Sequence, residues 1–378
     1  MAEQVWTIKR MLDWTVGYLE RKGDERPRLS AEWLISAVTG LSRVELYMSF
    51  DRPLDAAELA RMHVAVERRG KGEPLQYVTG EMPFRHLVVR CEEGVLIPRP
   101  ETEILVDAAL EGVDAAIAAG QVFDDVARRA EERARAEAAE AAEEKNETGE
   151  ASRDASDAAE HIEGPEDSLE AAALARLRAE RGIDDAAADV EQAGDAAVAA
   201  TVAPQGPRVL DLCTGTGCIA LSMAGERPGT FVVATDISDR AVSLAGRNRD
   251  ALGLEDAVEI FECDLAAAVP DELMGTFSVL VSNPPYIPTS VLPVLPEEVA
   301  GFEPRLALDG GADGLDLFRR ILELAPRALA SGGWLCVELF EDALAQAADL
   351  VRAQGGWERV EVREDLTHRP RVLVAVRA

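Results

Sequence analysis

The sequence predicts an α/β protein in which a small N-terminal helical bundle precedes a domain built on a doubly wound parallel sheet. Three observations support this fold class: apolar residues recur at helical spacing near the N-terminus, a long acidic stretch of low complexity divides the chain, and short apolar strands alternate with helices after Pro207. With 378 residues, of which 47% are hydrophobic, the chain is long enough for two domains and apolar enough for a buried core.

The N-terminal domain, residues 1–78, is expected to be a bundle of short amphipathic helices. Apolar residues recur at helical spacing over residues 5–19, and a second set of this kind follows Ser30. Ser30 can cap the second helix, and Gly40 lies near the end of that helix. A third helix is predicted over residues 55–69.

A connecting segment with a possible hairpin, residues 79–111, is followed by an acidic insertion, residues 112–205. Ala, Glu, Asp and Arg dominate the insertion, and aromatic residues are almost absent from it. This composition favours helix but offers little apolar surface to bury. We therefore expect the insertion to be solvated, with disorder favoured over a packed element and helix in part at most. A partner-binding role is the alternative.

The composition also excludes several classes of partner. The formal net charge of −31 would repel phosphate backbones, so direct nucleic-acid binding is not expected. The 5 cysteines and 4 histidines are scattered without metal-binding or disulfide spacing, which predicts no metal site and a reducing, cytoplasmic location. No apolar run reaches the ~20 residues that span a bilayer, so we expect no membrane insertion.

The C-terminal domain, residues 206–378, has the alternating pattern of a doubly wound sheet. Buried parallel strands read as short apolar runs, and helices connect them. Strands are predicted at residues 208–212, 230–235, 257–261, 278–281, 333–339 and 372–376, with helices at residues 219–224 and 316–329. The carboxyl ends of such strands form the ligand-binding edge of the sheet.

A glycine-rich turn over residues 211–217 follows the first of these strands and opens a helix. Asp236 ends the next strand, where a carboxylate can accept both hydroxyls of a ribose. The turn lacks the third glycine of a dinucleotide fingerprint and the Gly-Lys-Ser/Thr of a phosphate loop, so a nucleoside without phosphates fits better. The predicted cofactor contacts are Asp211, Cys213, Thr214, Gly215, Thr216, Gly217 and Asp236. Asp264, after the third strand, lies where such folds touch an adenine ring; alternatively it caps a helix.

The strand at residues 278–281 is followed by the segment Asn283-Pro284-Pro285-Tyr286, which lies at the same sheet edge. An amide or aromatic amine is a poor nucleophile, because its lone pair is delocalised. The Asn283 side-chain oxygen and the Pro284 carbonyl can accept its N–H bonds and orient its nitrogen toward the methyl sulfonium of S-adenosylmethionine. Tyr286 can cover the planar group with its ring. This pattern predicts a methyltransferase acting on a planar nitrogen; the alternative is a rigid loop without that role.

Further specific segments are Glu73-Pro-Leu-Gln-Tyr-Val-Thr-Gly80, Leu96-Ile-Pro-Arg-Pro-Glu-Thr-Glu103, and residues 303–315, which include Glu303-Pro-Arg and Asp309-Gly-Gly. Together with Asn283 to Tyr286 they carry a resemblance. Over nearly the whole chain apart from the insertion, the sequence resembles the release-factor glutamine methyltransferases, often called PrmC or HemK. This resemblance implies the Rossmann-like fold of class I S-adenosylmethionine-dependent methyltransferases.

The resemblance implies methylation of the side-chain amide N5 of the glutamine in the Gly-Gly-Gln motif of peptide chain release factors 1 and 2. It implies that residues 213–217, Asp236 and Asn283 bind S-adenosylmethionine. Residues 283–286, from Asn283 through Pro284 and Pro285 to Tyr286, would also hold the glutamine, and the N-terminal helices would dock the release factor. The segment with Arg99 and Glu101 is expected to line the site, although its charges could equally form a buried ion pair that fixes the linker.

The sequence departs from the family pattern at four places. Cys213 stands where many relatives have glycine, and His368 replaces a glycine near the C-terminus. Leu265 stands where some relatives place an aromatic residue over adenine, and we expect it to make that contact. The run from Glu338 to Glu341 replaces the usual Glu-Ile-Gly. These substitutions predict local differences in loop geometry.

Three other functions fit parts of the pattern. A ribosomal-protein glutamine methyltransferase would have the same chemistry and similar motifs. A DNA adenine methyltransferase would use the same Asn-Pro-Pro-Tyr segment, but the acidic charge and the lack of a basic recognition domain argue against it. A noncatalytic binding module would use the acidic insertion as its working part, although both halves of a reaction site are present.

Overall fold

The computed structural model of the chain describes residues 5–151 and 205–378. Within these residues, a group of N-terminal helices is followed by a β-hairpin, two long helices and a 7-stranded mixed sheet. The predicted α/β fold class, a doubly wound sheet domain behind a helical region, is confirmed. Much of the predicted acidic insertion lies outside the described residues.

The N-terminal helices pack around one apolar core. They are α1 (Ile8–Lys22), α2 (Pro27–Thr39), α3 (Arg43–Met48), α4 (Ala56–Gly70) and α5 (Leu75–Thr79). Their buried side chains include Ile8, Leu19, Ile35 and Met62. The Asp55 side chain accepts a backbone N–H in the first turn of α4, so this helix begins where the sequence predicts.

Two details of the predicted helices are wrong. α2 begins at Pro27, whose fixed φ suits the first helical position, so Ser30 lies inside the helix and does not cap it. The Ser30 hydroxyl instead donates to Asp24 Oδ2 at 2.8 Å. α1 begins at Ile8, later than predicted, because the Thr7 side chain caps it.

The connecting segment contains the hairpin and a buried helix. Its elements and the next helix are β1 (Glu81–Phe84), β2 (Leu87–Arg90), α6 (Thr102–Ala118) and α7 (Asp125–Ala151). Gly112 of α6 packs so closely on Trp334 that an added Cβ would lie 2.9 Å from the indole ring. The sequence-based boundary at residue 112 therefore falls within a buried helix. α7 is tied to the sheet at its start, where Asp125 pairs with Arg208 at 2.7 Å.

The sheet has 7 strands in the described part of the chain. They are β3 (Arg208–Leu212), β4 (Phe231–Asp236), β5 (Val258–Glu262), β6 (Phe277–Ser282), β7 (Leu329–Glu338), β8 (Trp357–Glu364) and β9 (Pro370–Arg377). Their order is β5-β4-β3-β6-β7-β9-β8. Strands β3 to β7 pair parallel, whereas β9 pairs antiparallel with both β7 and β8. Strand β8 was not predicted, because charged residues occupy much of it and most of its side chains are only partly buried or exposed.

Helices pack on both faces of the sheet. Besides α6, they are α8 (Cys218–Glu226), α9 (Asp239–Ala251), α11 (Asp316–Ala328) and α12 (Leu344–Gln354), with the short α10 (Glu297–Ala300) in a loop. Successive residues of β3, such as Val209 and Leu210, belong to different apolar cores. The strand order reverses at β3, between β4 and β6, which is where open α/β sheets form a ligand crevice. Among the described helices, none has the length and apolar content needed to cross a membrane.

Three of the departures from the family pattern lie at left-handed backbone positions. Cys213 has φ 61° and His368 has φ 61°, in the region where a side chain crowds the following carbonyl. Leu265 is also left-handed, with φ 50°. Glycine adopts this region freely, whereas a residue with a side chain is strained in it.

Replacing His368 with glycine is expected to raise the free energy of unfolding by about 0.5 kcal/mol. Left-handed strain of about 1–2 kcal/mol is removed, but the unfolded chain gains about 0.4–1 kcal/mol of conformational freedom. The side chain is 89% exposed, so little packing is lost. Chemical denaturation of both proteins measures the difference. Glu358→Gly, an exposed position in β8, is the control and should destabilise; equal loss in both variants would contradict the prediction.

Candidate active site

A cavity of about 770 Å³ lies at the carboxyl ends of β3, β4 and β6. The structure brings together at its wall many of the residues singled out from the sequence: Arg99, Cys213, Thr214, Gly215, Thr216, Asp236, Asp264, Leu265, Asn283 and Pro285. Segments far apart in the chain therefore share one cleft. The glycine-rich turn and the Asn-Pro-Pro-Tyr segment contribute to the same space.

The backbone conformation of the glycine-rich turn leaves free space on its cavity side. Gly215 has φ 58°, and a Cβ added there would meet nothing within 4 Å. Its N–H donates to Asp236 Oδ2 at 2.9 Å. Gly217, with φ 83°, serves packing instead, because a Cβ there would lie 3.2 Å from that of Ala245 on α9. Gly217 is not among the cavity-lining residues.

Asp211 lies beneath the turn rather than in the cavity. Its side chain is fully buried, and its Oδ2 accepts the Thr214 hydroxyl at 2.7 Å. Burial raises the pKa of Asp211 to about 7. Its position therefore does not support the direct cofactor contact predicted from the sequence. Asp211 shapes the turn that carries Thr214.

Asp236 presents its carboxylate to the cavity at the end of β4. Its two oxygens each accept one backbone N–H, from Ser238 at 3.0 Å and from Gly215 at 2.9 Å. Burial raises its pKa, while these hydrogen bonds lower it. A carboxylate has about four lone-pair sites, so capacity remains for hydroxyl donors in the cavity.

Asp264 and Leu265 lie on the cavity wall after β5. Residues 265–268 form a turn, so the alternative in which Asp264 caps a helix is wrong. The Asp264 carboxylate pairs with Arg320 at 2.7 Å, and both residues line the cavity. Cys213 of the glycine-rich turn also lines the cavity; burial raises the pKa of its thiol, which therefore stays protonated.

The Asn-Pro-Pro-Tyr segment divides between the cavity and the core. Asn283 and Pro285 line the cavity, whereas Pro284 and Tyr286 are not among the lining residues. Asn283 Nδ2 donates to Thr102 Oγ1 at 3.0 Å. The Tyr286 ring packs against the apolar core, and its hydroxyl donates to Glu338 Oε1 at 3.0 Å. The predicted covering of the substrate by Tyr286 is therefore not supported by its position.

Gly310 and Gly314 pack closely against the backbone of this segment. A Cβ on Gly310 would lie 2.7 Å from Tyr286 Cα, and one on Gly314 would lie 2.3 Å from the Tyr286 carbonyl oxygen. Two backbone hydrogen bonds also join the two segments, from Ile287 N to Leu308 O at 2.9 Å and from Gly310 N to Ile287 O at 2.8 Å. From the sequence, these glycines were noted only through the family resemblance, because their role depends on Tyr286, which is distant from them in sequence.

Gly314→Ala is expected to lower the free energy of unfolding by about 2–4 kcal/mol and to reduce activity. The new methyl group collides with the Tyr286 carbonyl, and φ at Gly314 is 78°. Gly332→Ala is the matched control, because φ there is 76° but no atom lies within 4 Å of the new Cβ. Denaturant unfolding and turnover of both variants separate backbone strain from collision. Equal losses in the two variants would show that the contact with Tyr286 is unimportant.

Arg99 satisfies both interpretations proposed from the sequence. It lines the cavity, and its guanidinium contacts Glu303 Oε2 at 2.6 Å. Glu303 is 6% exposed; burial raises its pKa and Arg99 lowers it. Glu101 is exposed before α6 and does not line the cavity, so its predicted substrate contact is not supported. Within residues 5–151 and 205–378, no group of 3 or more His, Cys, Asp and Glu side chains could hold a metal ion.

Several cavity residues escaped the sequence analysis. They include Thr102, Ile237, Ser238, Leu306 and Arg320. Ile237 and Ser238 follow Asp236 directly, so the end of the strand could have indicated them. Thr102 lies in the segment around Arg99 that was expected to line the site, but the residue itself was not singled out. Leu306 lies in a segment noted only for a family resemblance, and nothing local marks it as a cavity residue.

The chain is similar in sequence to known proteins. A family model described as PrmC N-terminal domain matches residues 10–80, and one described as Methyltransferase small domain matches residues 186–291. The chain is 36% identical to a release factor glutamine methyltransferase of Geobacter sulfurreducens, over 89% of this chain and 85% of that one. Proteins of the same name from Chlorobaculum tepidum (33%; 92% and 90%) and Moorella thermoacetica (32%; 98% and 99%) are also similar.

Proposed function

This chain belongs to the family of release factor glutamine methyltransferases, and on that premise we propose that it methylates the side-chain amide N5 of the glutamine in the Gly-Gly-Gln motif of peptide chain release factors 1 and 2. The enzyme is a methyltransferase, and S-adenosylmethionine is the proposed donor. The observation that carries the proposal is that Asn283 lines the same cavity as Gly215 and Asp236.

S-adenosylmethionine fits the residues at the β3 and β4 end of this cavity. A ligand can approach the backbone at Gly215, where an added Cβ would meet no neighbour. Asp236 retains acceptor capacity for the two ribose hydroxyls. Asp264 and Leu265 are the proposed neighbours of the adenine ring. When bound, the cofactor supplies a methyl group activated by a sulfonium.

The acceptor amide is proposed to bind at Asn283. Its Nδ2 is engaged with Thr102, which leaves Oδ1 to accept an N–H from the substrate carboxamide. The Pro284 carbonyl, the second acceptor predicted from the sequence, belongs to a residue that does not line the cavity. The nitrogen gains positive charge as it takes up the methyl group, and the fixed Asn283 oxygen both orients it and favours that charge.

The helical region is proposed to dock the protein substrate. Val44 and Met48 lie one turn apart on α3 and are 67% and 81% exposed. Exposed apolar side chains grouped in this way are typical of interaction surfaces. An ion pair joins this region to the sheet domain: Arg69 of α4 lies 3.2 Å from Glu298 of α10.

Mass spectrometry of candidate acceptors tests the proposal. Purified release factor and, in parallel, a large-subunit ribosomal protein are incubated with the enzyme and S-adenosylmethionine. We expect one added methyl on the release factor, lost when its Gly-Gly-Gln glutamine is replaced. Methylation of the ribosomal protein alone would assign the enzyme to that substrate instead, and binding of the release factor without methylation would favour a noncatalytic module.

A further inference from the structure

We propose that Thr102, held by Glu338, is a positioning residue that decides which end of the Asn283 carboxamide faces the acceptor nitrogen. The inference rests on the proposed function, because it concerns how Asn283 receives the substrate amide. Neither Thr102 nor Glu338 was identified as a site residue from the sequence.

The three side chains are neighbours at the cavity wall, which Asn283 and Thr102 line. Asn283 Nδ2 donates to Thr102 Oγ1 at 3.0 Å, and Thr102, the first residue of α6, is 2% exposed. Glu338 is also 2% exposed and lies near enough to Thr102 to be influenced by its hydroxyl, and the buried Oε2 of Glu338 has no other hydrogen-bond partner. Glu338 ends β7, beside the end of β6 that carries Asn283. Tyr286 donates to the same carboxylate at 3.0 Å.

The direction of these hydrogen bonds follows from the chemistry of the groups. The buried Glu338 Oε2 accepts no other hydrogen bond, so it is the acceptor that we assign to the single hydrogen of the Thr102 hydroxyl. The Thr102 oxygen then has only lone pairs left and must accept from Asn283. The NH₂ end of the asparagine is thereby turned toward Thr102, and its oxygen is left for the cavity.

This orientation matters because the two ends of a carboxamide have nearly the same shape. Packing alone distinguishes them poorly, whereas hydrogen-bond partners distinguish them well. The nitrogen of a substrate glutamine presents only N–H donors. If Asn283 were flipped, its own NH₂ would face those donors and the acceptor would lose its anchor. Burial raises the pKa of Glu338, while the hydroxyls of Thr102 and Tyr286 lower it.

Paired substitutions at Thr102 test the catalytic consequence. Thr102→Val keeps the shape and removes the hydroxyl, so we expect kcat to fall about 10- to 100-fold with the KM for S-adenosylmethionine changed less than about 2-fold. Thr102→Ser restores the hydroxyl and should recover kcat to within about 3-fold. Glu338→Gln, which keeps one acceptor oxygen, should lie between them. A wild-type kcat in Thr102→Val, or no recovery in Thr102→Ser, would overturn the proposal.

A second measurement needs no acceptor protein. The chain has only 3 asparagines, Asn146, Asn248 and Asn283, so selective ¹⁵N-asparagine labelling gives a simple side-chain amide spectrum. The Asn283 signals are assigned by their absence in Asn283→Ala. One Asn283 amide proton should exchange slowly with solvent in the wild type and in Thr102→Ser, and rapidly in Thr102→Val.

Asn248 provides the internal control for this spectrum. Its Nδ2 donates to the Thr216 carbonyl at 2.9 Å and does not involve Thr102, so its exchange should be unchanged in all variants. Equal exchange of the Asn283 protons in wild type and Thr102→Val would overturn the inference. If the wild type methylates no release factor but this pattern of protection holds, the proposed substrate fails and the positioning role of Thr102 stands.

Discussion

Asn283→Ala is expected to lower kcat by about 10²- to 10³-fold, the size of effect seen when one preorganised hydrogen-bond partner of a reacting group is removed. The alanine side chain has no oxygen to accept the substrate N–H, so the acceptor nitrogen is no longer oriented toward the methyl group. It also leaves the buried Thr102 oxygen without the donor that lies 3.0 Å away in the unaltered protein. Methyl transfer to purified release factor under single-turnover conditions measures the loss.

The prediction separates chemistry from folding and cofactor binding. Asn283 lines the cavity beside the proposed cofactor site, so the Kd for S-adenosylmethionine should change by no more than about 10-fold, equivalent to one neutral hydrogen bond. Thermal unfolding monitors the fold of the variant. A kcat within threefold of wild type would exclude Asn283 as the residue that holds the acceptor.

Asp236→Ala is expected to raise the Kd for S-adenosylmethionine by about 100-fold. A hydrogen bond to a charged group contributes about 1.5–3 kcal/mol, and each 1.4 kcal/mol is tenfold in Kd. The variant loses the proposed ribose contacts and also the acceptors for the N–H groups of Gly215 and Ser238, which position the turn. Isothermal titration calorimetry with S-adenosylmethionine gives the Kd directly.

Asp239→Ala is the matched control for this experiment. Asp239 carries the same charge, begins the next helix and is exposed, but it does not line the cavity. Its replacement should change the Kd by less than about threefold, because exposed charges contribute little. Similar Kd values for the two variants would mean that Asp236 does not bind the cofactor through its carboxylate.

Strands and turns with strong local patterns were predictable from the sequence. Strand β3 has the predicted bounds, because a short apolar run before a glycine-rich turn is an unambiguous signal. Strand β8 was missed, since its charged residues hide the pattern of a sheet edge. The start of α2 was also misplaced, because Pro27 at the first position competes with Ser30 as a helix-start signal.

The candidate site was predictable only where its residues follow strand ends. Asp236, Gly215 and Asn283 were identified in this way, since the carboxyl ends of parallel strands meet at one edge. Asp211 belongs to the same pattern, yet its side chain points into the core, and no local signal distinguishes the two aspartates. Tyr286 likewise follows the motif but packs away from the cavity.

By itself, the sequence determined the α/β class, the glycine-rich turn and the placement of Asn283 at the ligand-binding edge, because each depends on residues close together in the chain. Only the tertiary structure decided that Thr102 contacts Asn283 across 181 positions, and that Glu338 lies near Thr102. Such contacts depend on how helix α6 packs against β6 and β7. That packing is set by side chains buried throughout the domain, and no local pattern encodes it.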